Sequence, residues 1–230
     1  MLQASALGAT LVVSPELATS GYGFRDLIGT GWIARDQPAL FTWAGDLARR
    51  VSVFLLLGTP EASPDGTELF NSLILFASDG TRVGHHRKIN TLRVGSESWS
   101  QPGDRPTVLA IAGVGRVGLF VCADMHSQRL VRETTSLGVD LLLSSAAWAP
   151  GEHGPNGEWE WASKTTGRPV LVCNRTGPDV LDFSGARSIA AVDGAIVQSH
   201  ESSGSAIVLV DWDAQVGKLK NWRVAAAEEQ

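Results

Sequence analysis

The sequence predicts a layered α/β protein, with strands in a largely buried sheet and helices outside it. Three observations carry that prediction. Runs such as Gly118-Leu119-Phe120-Val121 and the segment 139–143 are apolar almost throughout, which implies strands covered on both faces. Asp-Gly pairs at 79–80 and 193–194 sit between strand-like runs and mark hairpins. Segments with helical spacing of apolar residues interrupt the strands at intervals, so both kinds of element share one layered core.

Taken in order, Thr10-Leu11-Val12-Val13 is a short β-branched strand closed by Ser14-Pro15. Residues 36–50 carry Leu40, Trp43, Ala44, Leu47 and Ala48 at helical spacing. A second apolar run, 51–57, closes at Gly58-Thr59-Pro60. Runs 69–77 and 81–85 pair around Asp79-Gly80, and 108–112 pairs with 116–121 through Gly113-Val114-Gly115. Residues 128–137 read as a helix, 139–143 as a strand, 158–166 as a short helix and 169–173 as a strand. A hairpin of 188–192 and 195–198 and a strand at 206–210 complete the pattern. There is no internal repeat, low-complexity tract or linker, so residues 1–230 read as a single domain.

Composition narrows the class. The 230 residues are 43% hydrophobic and 19% charged with a net charge of −5, and no block of like charges occurs. That excludes a dedicated nucleic-acid binder or a binder of anionic membranes, either of which needs a clustered basic face. No apolar run approaches the roughly 18–20 residues of a membrane-crossing helix. The start, Met1-Leu2-Gln3-Ala4-Ser5-Ala6, lacks the positive region of a signal peptide, and two cysteines are too few for a disulfide framework. A cytoplasmic location is the expectation.

Three reactive groups stand where strands end: Glu16 after the first strand, Lys88 after His85-His86-Arg87, and Cys122 after Gly118–Val121. Each alone has a structural reading, as a turn acid, a solvated cation and a small buried hydrophobe. Together they supply a base, a cation and a nucleophile, the set that acyl transfer needs. His85-His86 lacks the spaced companions of a zinc site, so neither a metal nor another cofactor is expected.

The order and flanks of these residues add a second line. Pro15-Glu16-Leu17-Ala18-Thr19-Ser20-Gly21-Tyr22, Arg87-Lys88-Ile89-Asn90-Thr91-Leu92 and Val121-Cys122-Ala123-Asp124 resemble the nitrilase, or carbon–nitrogen hydrolase, superfamily. So do Gly138–Leu143, Ala147-Trp148, Cys173-Asn174-Arg175-Thr176-Gly177 and Gly185-Ala186-Arg187-Ser188. The resemblance runs from residue 4 to 211. It implies a four-layer α-β-β-α sandwich, assembled as a homodimer or larger homo-oligomer. Family members normally begin with a strand and a helix before the Glu-bearing strand, whereas residues 1–8 here read as the tail of one helix. The expectation is a chain truncated at its N-terminus relative to the family, by some 20–30 residues.

The resemblance also assigns roles. Cys122 is the nucleophile, Glu16 the general base, and Lys88 the stabiliser of the oxyanion, with the backbone N–H of Ala123 helping. A strand-to-helix turn would aim that N–H and lower the thiol pKa through the helix dipole. Glu97, in Ser96-Glu97-Ser98-Trp99, matches the family's second glutamate, which orients the lysine and the substrate amide; a surface-loop acid is the other reading. Asp124 reads as structural, bonding a helix end or Arg132. His126 is either a neighbour of a helix cap or a pocket donor, and Tyr22 and Trp148 line the pocket or pack the core.

The triplet Cys122-Ala123-Asp124 departs from the Cys-Trp-Glu of the family's nitrile hydrolysers and points to the amidase side. Where many amidase-like members continue with Arg-Phe-Pro-Glu, this chain has His126-Ser127-Gln128-Arg129. The turn-rich segment 149–158 is the expected specificity loop. The function expected is hydrolysis of a small linear amide or carbamoyl compound; the alternative is an inactive binding or assembly module of the same family. A thiol-redox role would need Cys122 and Cys173 to be adjacent, since there is no Cys-x-x-Cys pair.

Overall fold

Alternating burial and two families of crossover connections organise the computed structural model, which describes residues 1–92, 95–151 and 154–227. The chain divides into two compact units, Met1–Arg105 and Pro106–Gln230. No helix among the described residues is long and apolar enough to cross a membrane.

The first unit holds helix α1 (Leu2–Ala6), strand β1 (Leu11–Val13), helices α2 (Phe24–Ile28) and α3 (Trp32–Val51), and strands β2 (Phe54–Ala62), β3 (Leu69–Phe76) and β4 (Arg82–Arg87). The sheet order is β1-β2-β3-β4, with β1 parallel to β2 and the other neighbours antiparallel. A parallel pair needs a crossover, and α2 and α3 supply it. Ala44 and Ala48 of α3 pack with Leu55 and Leu57 of β2 and Ile74 and Phe76 of β3. Strand alternation therefore assigns Leu57, Thr59 and Glu61, with Ser72, Ile74, His85 and Arg87, to the α3 face. Asn71, Leu73 and His86 belong to the other face, with Lys88 continuing their alternation.

Three local expectations change here. Helix α3 starts at Trp32, ahead of the predicted 36, and Trp43 points outward at 55% exposure while Ala44 and Ala48 take the core side. The run 51–57 is split, because Val51 ends α3 and β2 begins at Phe54. That strand also continues through Pro60. Proline is tolerated there because β1 pairs only as far as Leu56, so the edge beside Pro60 has no strand expecting its missing N–H.

The second unit contains strands β5 (Thr107–Ile111) and β6 (Gly115–Val121), helix α4 (Gln128–Ser136), strand β7 (Leu141–Ala146), helix α5 (Glu158–Thr166) and strands β8 (Val170–Asn174), β9 (Arg187–Val192) and β10 (Ala195–Glu201). The sheet order is β10-β9-β8-β7-β6-β5, parallel in its middle and antiparallel at its flanks. Helices α4 and α5 are the crossovers of the parallel strands, and the Arg132 guanidinium of α4 lies over the Trp161 ring of α5 at 5.4 Å. The Asp193-Gly194 turn is tied down where the Gly194 N–H donates to Ser163 Oγ at 2.9 Å. Strands β11 (Ala206–Asp213) and β12 (Lys218–Ala226) form a separate two-stranded ribbon, anchored where Trp212 Nε1 donates to the Val114 carbonyl.

Candidate functional site

Glu16, Lys88 and Glu97 form one buried cluster in the first unit. Their side chains are essentially inaccessible to water. Lys88 Nζ donates to Glu16 Oε1 at 2.9 Å and to Glu97 Oε2 at 2.9 Å, with Glu97 Oε1 at 2.8 Å. A lysine is almost never fully buried unless it is paired. Here it is paired twice, and two carboxylates share one cation. Burial pushes the Glu97 carboxyl above its ordinary range; the Lys88 charge pulls it down, while the Glu16 charge pushes it up again. The net direction is upward.

Backbone geometry places each member. Beyond β1 the chain crosses directly over Gly58, where a Cβ would collide with the Pro15 carbonyl oxygen and lie 3.1 Å from the Glu16 Cα. Glycine is required by that approach rather than by its torsion angles. The residue after Glu16, Leu17, is fully buried in the left-handed region at φ 52°, and its carbonyl accepts from Gly21 N–H at 3.0 Å. Lys88 is held by its own backbone: its N–H donates to the Asn71 carbonyl at 2.8 Å, and its carbonyl accepts from Gly103 N–H at 2.7 Å. Glu97 lies in a 3₁₀ turn, Gly95–Glu97, that α2 clasps. Arg25 donates to the Gly95 carbonyl at 2.7 Å, and the Phe24 and Trp99 rings meet edge to face at 5.1 Å. The surface-loop reading of Glu97 is thereby replaced, since the side chain is buried.

Asn71 was not anticipated from the sequence. Its Nδ2 donates to Glu16 Oε1 at 2.7 Å and to Glu97 Oε1 at 3.0 Å, so one neutral amide bridges both carboxylates. The available signal was the polar pair Asn71-Ser72 inside the otherwise apolar run 69–77.

Cys122 stands in the second unit, at the end of β6. Its φ of 44° puts a non-glycine residue in the left-handed region, and it is buried. Such strain at a strand end turns the chain sharply and is the kind of feature that clusters at functional sites. The elbow is closed by Asp124, whose Oδ2 accepts from the Val121 N–H at 2.9 Å. That bond ties Asp124 to the end of β6, a contact of the structural kind expected of it. Cys122 opens a 3₁₀ turn, Cys122–His126, and α4 begins only at Gln128. The expected helix-dipole effect on the thiol is correspondingly weaker, because that field fades within a turn. Ala123, inside the turn, is buried.

His126 ends the turn. Its Nδ1 lies 3.1 Å from Glu158 Oε1, and its ring meets Trp148 edge-on at 4.5 Å. Trp148 in turn meets Trp159 at 5.5 Å. The Trp148 backbone is clamped by Asn174, which accepts from its N–H at 2.9 Å and donates to its carbonyl at 3.1 Å. Glu158, Trp159 and Asn174, which sequence reasoning did not single out, thus surround His126 and Trp148. Tyr22, in the first unit, is buried. Of the expected specificity loop 149–158, Glu152 and His153 lie outside the described residues. Cys173 is partly buried on β8, and burial pushes its thiol up to about 12.

A buried glutamate–lysine–glutamate cluster in the first unit and a cysteine at a strained strand end in the second are the base, cation and thiol types that acyl-transfer chemistry uses. Comparison with known proteins gives the family. Residues 1–221 match the model of the carbon-nitrogen hydrolase family, and the chain belongs to it. It is 26% identical over 221 residues to a probable nitrilase of Schizosaccharomyces pombe, covering 92% of this chain and 79% of that protein. It is 22% identical over 248 residues to the N-carbamoylputrescine amidase of Arabidopsis thaliana, covering 96% and 82%. Among solved structures, a variant of the amidase from Nesterenkonia sp. AN1, carrying the product of Michael addition of acrylamide at its active-site cysteine, superposes with a TM-score of 0.76. That match has 25% identity and covers 86% of this chain and 78% of the other. The protein is a carbon–nitrogen hydrolase with amidase and nitrilase relatives.

Proposed function

We infer that the chain hydrolyses the C–N bond of a small linear amide or carbamoyl compound through a thioester on Cys122. The observation that carries this reading is the buried Lys88 held between Glu16 and Glu97. Burying two carboxylates and an ammonium is costly, and a structural pair of this kind is seldom more stabilising than apolar packing. A cluster with one more anion than cation has a chemical use: it can take up a proton while still presenting a cation.

The steps rest on the roles assigned by the family resemblance. Glu16 takes the Cys122 proton, and the thiolate sulfur bonds to the amide carbonyl carbon. The oxygen becomes an oxyanion, stabilised by Lys88 and the Ala123 N–H. The C–N bond then breaks, the nitrogen leaves as ammonia or an amine with the proton carried by Glu16, and a thioester remains. Water attacks the thioester, giving up a proton to Glu16. The C–S bond breaks, the acid departs and the thiol is restored. Glu97 keeps Lys88 aimed and orients the substrate amide.

In this reading the paired rings of His126 and Trp148 line the acyl pocket. Replacement of the common Arg-Phe-Pro-Glu segment by His126-Ser127-Gln128-Arg129 sets the chain's selectivity apart from its relatives. The test is ammonia release across a panel of linear amides and carbamoyl compounds, with Cys122→Ala as control. The reading predicts release that the variant abolishes, and iodoacetamide labelling of Cys122 much faster than of Cys173. Turnover that survives in the variant would overturn it.

A further inference from the structure

We propose that Asn71 is a positioning residue for the carboxylate pair, fixing Glu16 and Glu97 around Lys88 and keeping both as hydrogen-bond acceptors. The proposal rests on the catalytic reading of Glu16 and Lys88. Three observations support it. The first is that both amide hydrogens are spent on carboxylates, at 2.7 Å to Glu16 Oε1 and 3.0 Å to Glu97 Oε1.

The second is orientation. Asn71 Oδ1 is buried and makes no hydrogen bond among the described residues. Turning the amide over would set that oxygen against two carboxylate oxygens at those same distances, so an unpaired carbonyl is accepted in exchange for two charge-assisted bonds. The third is anchorage. The Asn71 N–H donates to Ser100 Oγ at 3.0 Å, and its carbonyl accepts from Lys88 N–H at 2.8 Å. The residue that orients the carboxylates is thus fastened to the lysine they share.

The residue type fits the charge balance. Lys88 donates to both carboxylates, and buried His86 stands two residues before it on the same side of the chain. A further acid would crowd the cluster with a third negative charge. A serine would supply one donor for two acceptors. Asparagine supplies two donors and no charge.

The test uses the full chain with Asn71→Leu, similar in volume without donors, and Asn71→Asp, which keeps the shape and adds an acid. Two readouts are needed. Carbon-13 NMR titration of labelled glutamate carboxyls, with Glu97 assigned through Glu97→Gln, reports the cluster without any substrate. Steady-state kinetics against pH reports the chemistry. Asn71→Leu is expected to raise the Glu97 midpoint by at least about one pH unit, as loss of a bond to the charged form requires. It should lower kcat on the order of 100-fold with KM within about threefold, the pattern of lost positioning.

Asn71→Asp should cost more at neutral pH and recover part of its turnover in acid, where a protonated acid regains one donor. An unchanged Glu97 midpoint in Asn71→Leu overturns the proposal. Should that variant not fold, an unchanged midpoint and pH profile in Asn71→Asp does the same. A wild-type chain inert towards every amide would sink the functional reading instead, while the NMR arm still judges Asn71.

Discussion

Two carboxylate clusters occupy the two faces of the four-stranded sheet, and they are balanced in opposite ways. On the α3 face, Glu61 accepts from Ser72 at 2.7 Å and from Arg87 Nε at 2.9 Å, and its other oxygen lies 3.0 Å from His85 Nδ1. Arg87 also lies over the Phe70 ring at 3.7 Å. Burial pushes the Glu61 carboxyl up, but the bonds from His85, Arg87 and Ser72 outweigh it and hold it at about 2. On the other face, Glu16 and Glu97 share one lysine, and Glu97 is displaced upward. One carboxylate draws on several donors of its own, whereas the other two divide a single cation. The first arrangement locks the sheet; the second leaves Glu97 holding its proton more tightly than an ordinary carboxylate.

The sharpest way to break this comparison is Lys88→Met. It removes the cation that two buried acids share, so unfolding free energy at neutral pH should fall by about 3–5 kcal/mol. On the proposed mechanism amide turnover should fall on the order of 1,000-fold, because that mechanism assigns oxyanion stabilisation to Lys88. Denaturant titration at pH 7 and pH 5 checks the cause: the deficit should shrink in acid as the carboxylates protonate. A deficit independent of pH would mean that lost packing, not unpaired charge, is responsible.

Glu61→Gln probes the opposite face. Moving a carboxyl from 4.5 to about 2 corresponds to about 3 kcal/mol of stability. Because the folded value lies below the unfolded one, that stability is present above pH 4.5 and is lost as pH falls towards about 2. The variant should therefore be about 3 kcal/mol weaker at pH 7 and nearly equal to wild type near pH 2. It should keep its amide turnover at temperatures where both proteins are folded. A large loss of turnover would mean that the two faces are coupled.

Much of this arrangement was legible in the sequence. The Asp79-Gly80 and Asp193-Gly194 hairpins form as predicted, and the 158–166 helix has the predicted bounds. Turn chemistry and helical spacing are local signals. Helix α2 was not readable, because five residues between glycines show no periodicity. Strand β12 was hidden by its charges, as a ribbon exposed on much of its surface needs no apolar alternation. In the site, Glu16, Lys88 and Glu97 were found from their order along the chain, but nothing local announces that Asn71 bridges two of them. The strain at Cys122 is likewise a property of the elbow and is invisible in composition.

Gly58→Ala tests whether the acidic face depends on backbone placement. The added carbon would collide with the Pro15 carbonyl oxygen, so the Pro15–Glu16 segment must move. Overpacking of this kind costs about 1–3 kcal/mol. Displacing Glu16 by even about 1 Å should lower turnover on the order of 100-fold while Glu61 and its partners stay intact. Melting curves and kinetics measured together separate the two effects. A variant with lower stability and full turnover would show that Glu16 tolerates the shift.

The smallest effect has the most informative sign. The folded value of Glu97 lies above its unfolded value, so its ionisation opposes folding. Its contribution to stability falls as pH rises from the ordinary carboxylate range through the raised value. Replacing it by glutamine removes that penalty while keeping an oxygen for Lys88. Relative to wild type, Glu97→Gln should gain stability from about pH 4 to about pH 7, the reverse of Glu61→Gln. Its turnover should nevertheless fall, since Lys88 loses a charged partner that aims it. Chemical denaturation at the two pH values decides the matter: if Glu97→Gln loses ground to wild type as pH rises, the acidic face is a stabilising network like the other. If it gains stability while losing activity, the chain carries its excess of negative charge for chemistry and at the expense of the fold.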